Sequence, residues 1–417
     1  MSVIVIEGQR RLTGDVKIHG AKNSALPVLA ACFMGNRQSV IHNCPDLSDV
    51  SASLKILEYL GSKVSKENGS IVIDSQNAGV HDIPEHLMRE MRSSIVFLGA
   101  VLAKTGKARL SLPGGCDIGL RPIDMHIKAL KQMDVEIIEE QGFINCFVPN
   151  GLKGAKIALS IPSVGATENV MIAATAAKGT TTIINAAREP EISDLADYLN
   201  ACGAKIHGAG EHTIVIEGVS ELKGAEHTVI PDRITAATYM AAAAATQGKI
   251  TVRDIVPVHI GPIIPYFEEA GCEIQIQSSS LLITAPPKLR ALKRVRTMPY
   301  PGFPTDAQAP VMAMACIAEG TSVFVETIFE NRYRHVPQLE RMGANIKVED
   351  RVAVVEGVKR LHGATVEATD LRGGAAMMIA AMAAEGSTEI SSILHIDRGY
   401  ENIVENLRSL GAEIFRN

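Results

Sequence analysis

Six times along this chain of 417 residues a helix-ending phrase returns, in its fullest form Leu-x-x-Leu-Gly-Ala-x-Ile. The copies are Leu57–Val64, Leu130–Ile137, Leu199–Ile206, Phe267–Ile274, Leu339–Ile346 and Leu407–Ile414. Their central glycine stands at 61, 203, 271, 343 and 411, and the second copy carries Asp134 in its place. An Ala/Met-rich segment stopped by glycine keeps step with the phrase, ending at Gly35, Gly106, Gly179, Gly248, Gly320 and Gly386. Successive copies of either landmark lie 66 to 73 residues apart. Two landmarks in phase define six units, and repeated units bury a common core by packing on their neighbours.

Each unit reads β-α-β-α-β-β. The Ala/Met-rich segments, such as 305–320 and 370–386, open on Thr305 or Asp370, good N-cap residues. They close at glycine, the residue favoured just beyond a helix C-terminus. Being apolar nearly all round, they are predicted to be buried rather than to lie on a surface. The β-branched runs that follow, Thr180–Ile184 and Lys249–Val252 among them, predict strands. Next comes an amphipathic helix ending in the repeated phrase, and strands such as Thr213–Gly218 and Arg351–Gly357 complete the unit. This order suits sheets wrapped around helix bundles. Six units can stack as a solenoid or close into two groups of three with a cleft between them. The closed groups are preferred, and the length fits two or three domains.

Composition narrows the function. Net charge is −5 and the pI is near 6.2, so no overall basic field draws in polyanions. Aromatics make up 4%, with no Trp, which argues against a base-stacking platform for nucleic acid. Any anionic ligand must be held by a local cluster of Lys and Arg. The seven cysteines form no C-x-x-C pair, and neither a disulfide framework nor a zinc site is expected. The opening Met-Ser-Val-Ile-Val-Ile-Glu-Gly reads as a strand, not a signal peptide, and no apolar run approaches a membrane span. A cytoplasmic location is the expectation.

The segment Leu112–Pro122 holds three glycines and two prolines, which predicts an irregular loop around Cys116. The bland reading is a tight turn with an incidental thiol. A thiol with an ordinary pKa of about 8.5 is mostly protonated at neutral pH and can donate a proton, while its thiolate fraction can attack an electrophile. Gly20–Pro27 puts Lys22 and Asn23 at the mouth of the first buried helix. There a cation adds to the positive helix end and favours an anion, unless the lysine is simply solvated. Arg92, Asp370 and Arg372 begin corresponding helices in other units, and Arg398 precedes the last amphipathic helix. Asp306 opens the fifth buried helix, either as a chemical group or as a carboxylate complementing the helix dipole. No H-E-x-x-H, P-loop, G-x-S-x-G or convincing dinucleotide fingerprint is present.

Taken in order, Gly20–Pro27, Pro113–Asp124, Pro162–Asn169, Phe303–Asp306, Ile328–Arg332 and Ile396–Tyr400 resemble the UDP-N-acetylglucosamine 1-carboxyvinyltransferase family of enolpyruvyl transferases. The resemblance spans essentially the whole chain. A sister family, the shikimate-pathway enolpyruvyl transferases, shares the six-unit fold but lacks the Cys-bearing loop. The resemblance implies a two-domain inside-out α/β barrel with three units per domain. One domain would be 22–230, with the Cys116 loop, the other 1–21 plus 231–417, and the active site would lie in the cleft between them. It also implies transfer of the enolpyruvyl group of phosphoenolpyruvate to the 3′-hydroxyl of UDP-N-acetylglucosamine, releasing phosphate, as the first committed step of peptidoglycan synthesis.

Carried over by match, Lys22, Arg121 and Arg398 surround phosphoenolpyruvate, assisted by Arg372 and neighbouring Asp370. Cys116 protonates the methylene carbon and is the thiol that the epoxide fosfomycin alkylates. Asp306 is the general base at the sugar hydroxyl. The nucleotide sugar meets Asn23, Arg92, Arg121, Pro122, Ile123, Asp124, Met125, Ser163, Val164, Gly165, Asp306 and Ile328. Leu120 is bulkier than the residue expected there, and Val96 stands where some relatives carry Trp. No cofactor and no metal are implied, and no nucleic acid or membrane partner; the oligomeric state is left open, with a monomer the expectation. Two other readings are a non-catalytic six-unit scaffold and an RNA-end-processing enzyme. The first should have lost Cys116 or Arg398, and the second wants a nucleotide-binding motif and a catalytic His.

Overall fold

A computed structural model describes residues 2–112 and 123–417. By their contacts these residues fall into two compact units, 2–19 with 231–417 and 20–112 with 123–230. The expectations placed on Cys116, Arg121 and Pro122 lie outside the described residues.

Each unit holds three four-stranded sheets on one plan. In the third sheet of the 20–230 unit, Lys156–Ala158 runs parallel to Thr180–Ile184. Thr180–Ile184 is antiparallel to Thr213–Glu217, which is antiparallel to Lys205–His207. Between the first two strands lies the helix Val164–Ala174, and between the second and the hairpin lies Pro190–Ala201. The β-α-β-α-β-β order is therefore present, and inward-facing Ile183, Ile214 and Ile216 are wholly buried.

The closure of each unit is decided by strands far apart in sequence. Glu226–Thr228, which follows the third repeat, turns back to pair in parallel with Ser39–His42 of the first. In the other unit Thr13–Lys17 pairs in parallel with Lys249–Arg253. Ile4–Glu7 sits between Ser387–Ser391 and Glu413–Arg416, antiparallel to both. A solenoid would leave its first and last repeats unpaired with each other. Here they are joined, so each group of three closes on itself.

The Ala/Met-rich helices occupy the interiors. In one unit they are Lys22–Cys32, Phe97–Thr105 and Val164–Ala174, in the other Arg233–Ala245, Gln308–Ala315 and Leu371–Ala383. Every residue of Arg233–Ala245 is buried, as expected of a helix with no polar face. The three helices of the second set all pack on one another. Sheets outside and helices inside make the inside-out arrangement.

Local details depart from the sequence reading at several points. Asp370 does cap its helix, accepting from the backbone N–H groups of Arg372 and Gly373 at 3.0 and 3.2 Å. Thr305 does not: a 3₁₀ turn, Thr305–Ala307, precedes Gln308–Ala315, and the Thr305 hydroxyl donates to Glu326 at 3.0 Å. Gly248 is one residue late as a left-handed stop, because Gln247 takes the positive φ, 53°. In the second copy of the repeated phrase Asp134 adopts φ 71°, so the left-handed turn survives the loss of glycine.

Candidate active site

In the 20–230 unit Lys22 is the first residue of a buried helix, and its side chain is only 11% exposed. It is not a solvated surface lysine. Its Nζ lies 3.0 Å from Oδ2 of Asp49, a carboxylate 4% exposed that enters from the helix Ser48–Tyr59. Two charges taken out of water need one another, because removing either leaves the other buried and unpaired. Asn23, next along, is exposed.

Three further segments of this unit carry expected nucleotide-sugar residues. Arg92 opens the 3₁₀ helix Arg92–Val96, and partial burial lowers its pKa. Ile123 precedes the helix Asp124–Gln132; Asp124 is exposed, with Lys128 3.7 Å away one turn on. The Sδ of Met125 accepts a weak bond from the Ser160 hydroxyl at 3.8 Å. Ser163 caps the helix Val164–Ala174, accepting from the N–H of Ala166 at 3.4 Å, so Val164 and Gly165 occupy its first turn. Helix N-termini present unpaired N–H groups and a positive dipole end, which suit a diphosphate.

In the other unit Asp306 is gripped from two sides. Arg332 donates through Nη2 to Oδ1 at 2.8 Å, and Arg372 donates through Nη2 to Oδ2 at 3.1 Å. Both guanidinium side chains are almost wholly buried, at 3% and 2%, whereas Asp306 keeps 27% of its side chain exposed. The carboxylate is thus fixed in orientation while part of it stays exposed. Arg332 also donates through Nε and Nη2 to the Thr305 carbonyl at 3.3 and 3.2 Å, holding the turn that carries Asp306. Both carboxylate oxygens of Asp306 are thus engaged by guanidinium groups.

Burial opposes the charge on Arg372, but Tyr400, Asp306 and Asp232 outweigh it and raise its pKa. Its Cζ lies 5.2 Å from the centre of the Tyr400 ring, and the Tyr400 hydroxyl is 2.9 Å from that of Thr238. Nε and Nη1 of Arg372 have no hydrogen-bond partner among the described residues. Donors left over on a buried guanidinium suit an anionic ligand. Arg398 ends the 3₁₀ helix Ile393–Arg398 and is half-buried.

The sequence reading missed several residues that place these groups. Glu326, buried at the end of Thr321–Val325, accepts through Oε1 from the Ile328 and Phe329 N–H groups at 2.8 and 3.1 Å. Its Oε2 accepts from the Thr305 hydroxyl, so one carboxylate fixes both the Ile328 loop and the Asp306 turn. Arg332 closes the Ile328–Arg332 motif and so carries a signal in the sequence. Asp49 gave none, because its pairing with Lys22 is tertiary. Burial pushes the thiols of Cys32, Cys146, Cys272 and Cys316 up to about 12, so these are inert apolar fillers. Among the described residues no group of three or more His, Cys, Asp or Glu is placed to hold a metal ion, and no helix is long and apolar enough to cross a membrane.

Comparison with known proteins agrees with this arrangement. A family model described as EPSP synthase (3-phosphoshikimate 1-carboxyvinyltransferase) matches residues 6–407. A relative from Caldanaerobacter subterraneus subsp. tengcongensis, UDP-N-acetylglucosamine 1-carboxyvinyltransferase 2, is 51% identical over 416 residues and all of both chains. UDP-N-acetylglucosamine 1-carboxyvinyltransferase of Finegoldia magna is 48% identical over all of this chain and 99% of its own. The crystal structure of the enolpyruvyl transferase NikO from Streptomyces tendae superposes with a TM-score of 0.91 at 26% identity, covering all of this chain and 99% of that one. EPSP synthase from Acinetobacter baumannii shares the fold, with a TM-score of 0.75 at 17% identity over all of this chain and 99% of its own. A family model covering nearly the whole chain, and relatives identical at about half their positions from end to end, establish that this chain belongs to the enolpyruvyl transferase family, alongside the UDP-N-acetylglucosamine 1-carboxyvinyltransferases.

Proposed function

We propose that the chain transfers the enolpyruvyl group of phosphoenolpyruvate to the 3′-hydroxyl of UDP-N-acetylglucosamine, the first committed step of peptidoglycan synthesis. The geometric observation that carries this reading is Asp306, a partly exposed carboxylate aimed by the buried Arg332 and Arg372. End-to-end similarity to enzymes named for this reaction supports the choice of acceptor.

In the proposed chemistry Asp306 takes the proton of the 3′-hydroxyl as its oxygen bonds to C2 of phosphoenolpyruvate, while Cys116 delivers a proton to the C3 methylene. The product of that addition is a tetrahedral ketal that still holds the phosphate. Loss of a proton from C3 and departure of inorganic phosphate restore the double bond and leave the enolpyruvyl ether. Lys22, Arg121, Arg372 and Arg398 hold the carboxylate and phosphate of the donor, where guanidinium forks bind bidentately. Asn23, Arg92, Ile123–Met125, Ser163–Gly165 and Ile328 hold the nucleotide sugar. A monomer acting in the cytoplasm completes the proposal.

Mass spectrometry of the nucleotide product tests it. UDP-N-acetylglucosamine incubated with enzyme and phosphoenolpyruvate should gain one enolpyruvyl group, and an unchanged nucleotide sugar would refute the assignment.

A further inference from the structure

One buried amide in the 20–230 unit joins three segments that carry proposed nucleotide-sugar residues. Asn169, on the helix Val164–Ala174, accepts through Oδ1 from the backbone N–H of Gly99 at 2.6 Å. Its Nδ2 donates to the Ile95 carbonyl at 2.9 Å and faces Nδ1 of His126 at 2.8 Å. Ile95 belongs to the turn that Arg92 opens, and His126 follows Asp124 and Met125 on their helix. Asn169 itself lies one turn beyond Ser163–Gly165.

These partners leave no freedom in the chemistry. A backbone N–H can only donate and a carbonyl can only accept, so the Asn169 amide cannot be flipped. Its NH₂ therefore points at Nδ1 of His126, which must be the acceptor. A ring that accepts at Nδ1 carries its proton on Nε2 and is neutral.

Two glycines make the arrangement possible. A Cβ on Gly99 would stand 2.4 Å from the Asn169 carbonyl oxygen, and a Cβ on Gly165 would stand 3.2 Å from Cε1 of His126 and 3.4 Å from Nε2. The first contact is sterically forbidden and the second is tight. The ring thus lies against the backbone of Gly165 with a fixed Nε2–H.

We propose that Asn169 and His126 are a positioning pair for the nucleotide sugar: Asn169 locks His126 as the neutral Nε2–H tautomer and sets the Arg92, Asp124–Met125 and Ser163–Gly165 segments in register. The pair touches no reacting atom, so its effect belongs to binding of the acceptor substrate. Burial, with the Arg92 charge, pulls the His126 pKa down to about 4 against the opposing pull of Asp124, in keeping with a neutral ring at physiological pH. The inference about binding rests on the function proposed above, whereas the tautomer does not.

The test has two arms. Nitrogen-15 spectra of histidine-labelled enzyme without ligand, with His126→Asn supplying the assignment, should show His126 at pH 7 as a neutral Nε2–H ring. Detection of the Nδ1–H tautomer or of a charged ring overturns the proposal whatever the substrate. In steady-state kinetics, His126→Phe, which strands the Asn169 donor, should raise the KM for UDP-N-acetylglucosamine about 10-fold. The KM for phosphoenolpyruvate and kcat should change less than about 2-fold. His126→Asn, which keeps an acceptor for Asn169, should recover part of the loss. Equal damage to both KM values, or none to that of the nucleotide sugar, contradicts the positioning role. If no variant or parent enzyme turns over this substrate pair, the functional reading falls while the tautomer result still stands or fails alone.

Discussion

Asp306 illustrates how few atoms the proposed chemistry needs and how many are spent on aiming them. Its carboxylate oxygens are each taken by a buried guanidinium, yet a quarter of the side chain stays accessible. If that accessible part receives the sugar proton, Asp306→Asn, which keeps the shape but turns one accepting oxygen into an NH₂ facing a guanidinium, removes the base, which typically costs about 10²–10⁴-fold in rate. Calorimetry should show UDP-N-acetylglucosamine binding far less affected than kcat. Loss of activity only through loss of sugar binding would make the carboxylate a positioning group. At Cys116, whose role rests on its sequence motif, the acid function predicts that Cys116→Asp keeps appreciable turnover while Cys116→Ala loses it. The aspartate variant should favour lower pH, since an ordinary Asp titrates near 3.9. Equal inactivity of both folded variants in a phosphate-release assay would remove the acid role. At this scale the sequence was most legible where residues sit inside contiguous motifs, as Lys22 and Asp306 do. Asp49 and Glu326 act through partners 27 and 21 residues away, and Asn169, although it closes the Pro162–Asn169 motif, through Gly99 70 residues away; one-dimensional spacing holds no trace of such pairings.

Among the elements, the repeated phrase and the buried helices were readable because their causes are local. A left-handed turn demands glycine or a tolerant residue, and a helix with no polar face demands burial. The exception at Asp134 can be tested. Its φ of 71° favours glycine, and its 2.7 Å pair with Lys153 is exposed and worth little. Asp134→Gly should therefore leave stability within about 1 kcal/mol of the parent, whereas Asp134→Val, with a branched Cβ, should cost about 1–2 kcal/mol. Thermal unfolding curves would show the order, and a more stable valine variant would contradict it. The helix Val164–Ala174 offers a pH test. Burial first, then the neighbouring Glu191 and Glu189, raise the pKa of Glu168 well above its ordinary 4.5. The folded chain then holds a proton that the unfolded chain releases. This group's contribution is fully present below about pH 4.5 and declines as pH rises toward the folded pKa. Glu168→Gln should be more stable than the parent at pH 7–8, with the gap closing as pH falls toward 4.5. A gap that widens on acidification would reverse the sign of the argument. The Thr305 cap failed for a competing reason, since Glu326 offers its hydroxyl a buried acceptor.

At the scale of the whole molecule, the period of about 70 residues foretold six units, and each is a four-stranded sheet with its buried helix. The way each group of three closes was not legible in any local pattern; the joining of 1–21 to 231–417 came from the family resemblance alone. The pairing of Ile4–Glu7 with Ser387–Ser391 and Glu413–Arg416 joins the two ends of the chain, and no local pattern encodes a partner some 400 residues away. The same fold serves both acceptor classes represented among the relatives, so fold alone does not choose the acceptor. What sets this chain apart within the fold is that it gives phosphoenolpyruvate's enolpyruvyl group to a nucleotide sugar. Inorganic phosphate release from phosphoenolpyruvate, measured with UDP-N-acetylglucosamine, with 3-phosphoshikimate and with neither, tests it most directly. Release should appear only with the nucleotide sugar; release that needs no acceptor, or that follows 3-phosphoshikimate instead, would contradict the account.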